Sequence, residues 1–203
     1  FRTIWGKDID NFFGMAASGL PKGLINRIGY PSNHIKTKDE WIGEVENLLN
    51  NTTKFGIKIQ QEPNFEDPVI TIRIKVFEET LGDYNIVVCL TENDVINWQK
   101  DGQNDIENYE HKHVLRSILN SSWGGESLKI NQTYIEGEII THTYSFDFNN
   151  LELSNIDASN NTLANGNGNA GGWNKNNMHL VAYIYDVTNY EIMQVEQIHL
   201  QIP

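Results

Sequence analysis

Tyr84-Asn85-Ile86-Val87-Val88-Cys89-Leu90-Thr91-Glu92-Asn93 contains the most continuous apolar run of the chain. Ile86, Val88 and Leu90 share one parity, Val87 and Cys89 the other, and all five are apolar. That pattern predicts a strand buried on both faces. Two segments near the C-terminus behave alike. Leu180, Ala182 and Ile184 oppose Val181, Tyr183 and Tyr185, while Ile192 and Ile198 oppose Met193 and Val195. Side by side, the three strands make a sheet that is apolar on both faces. One face packs on an opposing sheet. The other leaves large side chains in water unless residues 1–52, the 149–177 segment or a partner chain covers it. Cys89 is then expected to be shielded and chemically inert.

Working outward, strand patterning is widespread. Phe55, Ile57 and Ile59 alternate with Gly56, Lys58 and Gln60. After a turn from Pro63 to Pro68, Ile70, Ile72, Ile74 and Val76 alternate with Thr71, Arg73 and Lys75, the signature of a half-buried antiparallel strand. Further strands are predicted at about 112–119, 138–148, 178–187 and 191–201, with a turn at Trp98-Gln99. Seven or so strands with polar turns, no long helix between them and no internal repeat indicate an immunoglobulin-like antiparallel β-sandwich. The Asn/Gly-rich segment 149–177 reads as a flexible loop. It lacks the Gly-Lys-Ser/Thr of a phosphate loop.

The first 52 residues read differently. Phe12, Phe13 and Met15 supply apolar contacts in a short irregular or helical segment. Leu20-Pro21 begins a turn feeding a short strand. Thr37-Lys38-Asp39-Glu40 has the form of a capping box, and behind it Trp41, Val45, Leu48 and Leu49 mark one face of a helix ending near Asn50-Asn51.

Composition narrows the function. The 203 residues suffice for one large all-β domain, or one domain plus a fragment of another. The formal net charge is −12 and no basic run exceeds two residues, which argues against nucleic-acid binding. A single cysteine excludes an intrachain disulfide and a Cys-x-x-Cys pair. No apolar run approaches the ~20 residues of a membrane-spanning helix. The first residue is Phe, which raises the expectation of a removed upstream segment.

Two sets of residues carry a family resemblance. Gly19-Leu20-Pro21-Lys22-Gly23-Leu24-Ile25-Asn26-Arg27 with the Trp41 helix resembles the C-terminal part of a thioredoxin-like domain, Pro21 matching its cis-proline. Leu90-Thr91-Glu92-Asn93, Trp98-Gln99 and Tyr109-Glu110-His111-Lys112-His113-Val114-Leu115-Arg116 resemble the core of the outer membrane protein 28-related family. The resemblance implies a Gram-negative surface protein in which a thioredoxin-like domain precedes a β-sandwich. Residues 1–52 would then be the end of the first domain and 53–203 the second. It further implies a location at the outer membrane or cell surface, with the periplasm as second choice. The Cys-x-x-Cys pair of such domains would lie before this sequence starts.

Candidate sites are few. His111 and His113, two apart on a predicted strand, would share a face where a metal can bind; Asp105, Glu107 and Glu110 are nearby, but zinc requires three or four ligands. Hydrogen bonding of these imidazoles to backbone or carboxylates is the simpler expectation, and no metal or cofactor is expected. Arg116 is expected to pair with an acidic side chain. Asp147, Asn149, Asn150, Glu152 and Asp157 offer oxygens of the kind Ca²⁺ takes, without the EF-hand spacing. Trp123 and Trp173 beside glycines would either stack on a sugar ring or cap the sandwich ends. No hydrolase or metalloprotease motif occurs. The expectation is a non-enzymatic surface module for binding or assembly, its partner a protein or a surface glycan. The alternatives are an accessory domain of a thiol-disulfide oxidoreductase-like protein, and a carbohydrate-binding module.

Overall fold

The computed structural model describes residues 3–62, 67–120, 122–130, 133–162 and 170–202. Helix α1 (Ile4–Phe13) is followed by strands β1 (Lys22–Leu24) and β2 (Ile35–Thr37) and by helix α2 (Trp41–Leu48). Then come β3 (Phe55–Gln61), β4 (Val69–Val76), β5 (Thr80–Leu81), β6 (Tyr84–Glu92), β7 (Val95–Asp101), β8 (Asn104–His111), β9 (Val114–Ile118), β10 (Glu126–Ser127), β11 (Thr133–Tyr134) and β12 (Ile139–Ser145). Helix α3 (Phe148–Thr162) precedes β13 (Met178–Asp186) and β14 (Ile192–His199). The protein is mainly β, and its sheets are antiparallel. The expected turn from Pro63 begins outside the described residues, as does the Asn165–Asn169 run.

Two sheets enclose the core. One has the order β10-β6-β13-β14, with β9 also beside β6; the other is β12-β4-β3. Parity does the sorting. Ile70, Ile72, Ile74 and Val76 of β4 point inward and meet Ile86, Val88 and Leu90 of β6 and Leu180, Ala182 and Ile184 of β13, all fully buried. In the register, Leu90 faces Leu180, Val88 faces Ala182 and Ile86 faces Ile184. Each such Val, Leu or Ile side chain contributes about 1.5–3 kcal/mol relative to exposure. The strand edges are bridged by side chains rather than left open. Gln61 Nε2 donates to the Gln201 carbonyl at 2.6 Å, the Gln201 N–H donates to Gln61 Oε1 at 3.0 Å, and Thr53 Oγ1 donates to the Met193 carbonyl at 3.1 Å.

The second face of the β6 sheet is covered by the N-terminal segment. Val87, Cys89, Ile118 and Tyr185 form a second core, against which Trp5 and Ile9 of α1 pack. Of the covers that the sequence allowed, residues 1–52 supply Trp5 and Ile9 to this face.

Four readings need correction. The 149–177 segment is not simply a loop, because α3 occupies Phe148–Thr162. Its inward face carries Phe148, Asn155 and Ser159, so two of these three buried positions are polar and no apolar period is visible. The strand expected at 112–119 begins at Val114, and His113 lies in a left-handed turn with φ of 53°. In β14, a bulge opposite Ile184 and Tyr185 breaks the expected parity, so Met193 joins Ile198 on the main core. Finally, the Thr37 box is half formed. Glu40 accepts the Thr37 N–H at 2.8 Å, but the Thr37 hydroxyl donates to the same carboxylate and α2 starts at Trp41 without a side-chain cap.

Candidate functional site

Trp98 and Gln99, expected in a turn, lie instead in a two-stranded ribbon that stands apart from both sheets. In it β7 pairs with β8, Ile96 opposite Glu110, Asn97 opposite Tyr109 and Lys100 opposite Asp105, with a bulge between Asn97 and Gln99. Asp101-Gly102 makes the reversal, and Gly102 holds φ at 63°, a value that only glycine adopts without cost. That dipeptide was the available sequence signal. It was masked by flanking Asn, Gln and Asp, which disfavour strands. Burial is slight along the ribbon. Only Val95 at its base is buried, while Ile96, Trp98, Ile106 and Tyr109 are exposed, Trp98 by 57%.

The histidines fall in different roles. His111 Nε2 lies 3.3 Å from the Trp98 carbonyl, and its ring packs edge-on against Tyr109 at 4.8 Å. His113 belongs to the β8–β9 turn, where its N–H donates to Asn93 Oδ1 at 2.8 Å. The two therefore do not share a strand face. No cluster of three or more potential metal-ligating His, Cys, Asp or Glu side chains occurs among the described residues.

Arg27 organises the face that α1 covers. Its guanidinium is buried, 4.9 Å from the Phe13 ring centre, 5.0 Å from that of Tyr183 and 5.4 Å from that of Tyr185. Its Nη2 donates to the Tyr183 hydroxyl at 2.8 Å. Asn26 and Arg27 both take left-handed conformations, φ 48° and 58°, and the Asn26 carbonyl accepts the Ile192 N–H at 2.9 Å. Burial pushes the Tyr183 phenol up to about 12. This arrangement ties the segment after Pro21 (its Leu20–Pro21 peptide is cis) to the face that α1 also covers.

Arg116 meets Glu92, its Nε donating to Oε2 at 2.7 Å deep in the protein. Trp123 is half-buried, its ring 4.7 Å from that of Phe12 in an aromatic cluster with Tyr190. Trp173 is 6% exposed and packs edge-on against Phe148, its indole N–H donating to the Ala170 carbonyl at 2.9 Å. Trp173 thus offers no face to a sugar. The oxygen-bearing residues proposed for Ca²⁺ also have other work. Asp147 Oδ1 accepts the Asn150 N–H at 2.9 Å at the start of α3, and Glu152 accepts the N–H groups of Gly172 and Trp173.

HBP35 of Porphyromonas gingivalis superposes with a TM-score of 0.53 at 13% identity, over 78% of this chain and 45% of that one. This chain thus spans less than half the length of that structure. A domain of the outer membrane lipoprotein Omp28 from Porphyromonas gingivalis shares 19% identity over 75% of this chain and 92% of its own, at a TM-score of 0.37. No curated protein matches significantly. No helix among the described residues is long and apolar enough to cross a membrane. The sequence description of one family does match, from residue 8 to residue 202, and on that extent the chain belongs to the Outer membrane protein Omp28 family, whose members are associated with the outer membrane or cell surface.

Proposed function

We propose that this chain is a non-enzymatic binding or assembly module, an immunoglobulin-like sandwich that presents the β7–β8 ribbon to a partner. The carrying observation is the contrast between the two parts. Both sheets bury their apolar faces apart from Ile139 and Val195, whereas the ribbon sends Ile96, Trp98 and Tyr109 into water. A two-stranded ribbon alone is marginally stable, and exposed aromatics on it gain energy only when something covers them. A photo-crosslinking residue placed at position 98 tests this in expressing cells, with position 73 on the outer face of β4 as control. Adducts at 98 and none at 73 are expected. No adduct at 98 would refute the reading.

A second reading rests on α2. Ile42 and Val45 of α2 and Leu49 at its C-cap recur at i, i+3 and i+7 and are exposed, as is Leu20. A helix that covers a sheet carries this kind of stripe. In this reading residues 1–52 are the end of a thioredoxin-like domain, and 53–203 are its accessory sandwich. A cysteine placed at position 49 should react with maleimide more slowly in the whole gene product than in the 203-residue chain. Equal rates would exclude the idea.

A further inference from the structure

Two histidines of the β6 sheet stand directly across from one another, His179 of β13 and His199 of β14. Directly opposed residues share a sheet face, their Cβ atoms about 4.5–5.5 Å apart. The two rings meet edge-on with centres 5.1 Å apart. His199 is exposed and His179 half-buried, so solutes reach the pair.

Each ring has one nitrogen committed. His179 Nδ1 lies 3.2 Å from the Asn177 carbonyl, and His199 Nε2 lies 2.6 Å from the Asn176 carbonyl. A carbonyl oxygen only accepts, so these two nitrogens carry the protons. In the neutral rings the lone pairs are then on His179 Nε2 and His199 Nδ1. Two adjacent carbonyls of one turn thus set both tautomers. Imidazoles that bind metals have this arrangement, the second nitrogen donating to a carbonyl or carboxylate. Tying the turn to β14 requires His199 alone, because Asn177 is only two residues from His179 in the chain.

The spacing fits one ion. Two imidazoles bonded to the same metal at about 2.0–2.1 Å have ring centres about 4.5–5.2 Å apart, for bond angles from square to tetrahedral. The observed 5.1 Å falls within that span. Thr91 of β6, directly across from His179 on its other side, adds a buried hydroxyl to the row, and that hydroxyl meets no partner among the described residues. A buried polar group of this kind calls for a water or an ion. Two imidazoles fall short of the three or four protein ligands of a closed zinc site, which leaves the remaining positions to water. Imidazole suits zinc, nickel and copper, and among these affinity is highest for Cu(II).

We infer that His179 and His199 together bind one divalent late transition-metal ion, Cu(II) most tightly, in an open, exchangeable site on the β13–β14 pair. The inference does not rest on the binding-module reading. Copper(II) chloride titrated into the whole chain tests it, read by electron paramagnetic resonance and by the imidazole proton signals in NMR. One Cu(II) per chain with two nitrogen ligands is expected, and the His179 and His199 signals should broaden before those of the other histidines. His179→Gln and His199→Gln should each weaken binding at least tenfold. His113→Asn, in the β8–β9 turn, should bind as the parent does. No uptake, a one-nitrogen spectrum or first broadening at another histidine would overturn the inference. Parental affinity in either Gln variant would do the same. Where a Gln variant loses its thermal transition, the order of broadening in the parent decides.

Discussion

Arg116 and Glu92 meet on neighbouring strands with almost no water around them, 2% and 5% exposed, at an Nε to Oε2 distance of 2.7 Å. Glu92 also reaches beyond its sheet. Its Oε1 accepts the Asn174 N–H at 2.9 Å, fixing the segment that leads into β13. Removing one partner leaves the other charge buried. Glu92→Ala is therefore expected to cost about 3–5 kcal/mol. At about 2–4 °C per kcal/mol for a chain of this size, that is a fall of roughly 6–20 °C in melting temperature. Replacing both residues by Met removes both charges and should recover much of the loss. A double variant no more stable than Glu92→Ala would show that the pair is not the cause.

Cys89 gives a pH signature. Burial pushes its thiol up to about 12, with nearby Arg27 opposing the shift. The unfolded thiol ionises near pH 8.5. Below that pH both states are protonated and the contribution to stability is fully present. As pH rises from about 8.5 towards 12 only the unfolded chain ionises, so stability falls. Tyr183 adds a similar loss from about pH 10 upward, since its phenol is also raised to about 12. Cys89→Val should therefore flatten the pH dependence of denaturant unfolding between about pH 8.5 and 10 and leave above that only the part due to the tyrosines. Native Cys89 should resist a bulky aromatic thiol reagent throughout that range. Prompt, full labelling would mean that α1 does not cover the face.

The double apolar parity of 84–91 was enough to infer a covered second face, because period-two patterning depends only on which side is wet. That inference takes strands 84–91, 178–187 and 191–201 to share one sheet, and they do: β6 pairs with β13, and β13 with β14. The ribbon and α3 were not legible for a common reason: their sequences do not carry the hydrophobic period of their structure. Ile96 and Trp98 keep strand spacing but face water. In α3 the inward Asn155 instead donates to the Ala170 carbonyl at 3.0 Å, so a hydrogen bond holds a position that a period search expects to be apolar. The histidine pair was misplaced through one backbone dihedral. Once His113 turns left-handed, residues two apart cease to share a face.

Trp173 distinguishes a structural tryptophan from a ligand platform. Packed against Phe148, it is held by the Ala170 carbonyl and by Glu152, which accepts its N–H at 3.0 Å. Trp173→Ala should cost about 3–5 kcal/mol, the range for truncating a buried large aromatic. Thermal unfolding measures it. A loss below about 1 kcal/mol, within the range of surface changes, would mean that the indole is not packed as described.

The stripe on α2 gives the opposite expectation. Ile42 is 72% exposed and Leu49 73%, so neither contributes burial within this chain. Gln is about as good a helix former as Leu, so Ile42→Gln with Leu49→Gln removes apolar surface while leaving the helix its propensity. The double variant should stay within about 0.5 kcal/mol of the parent, as surface substitutions do. Ile74→Ala, made in the middle of β4, should cost about 2–5 kcal/mol in the same assay. The two are compared by urea unfolding at low protein concentration, then repeated at high concentration. A destabilised double variant at both concentrations would mean that α2 is packed within one chain. A loss seen only at high concentration would assign the stripe to an interface between copies. Parity with the parent at both leaves the stripe as surface awaiting a partner.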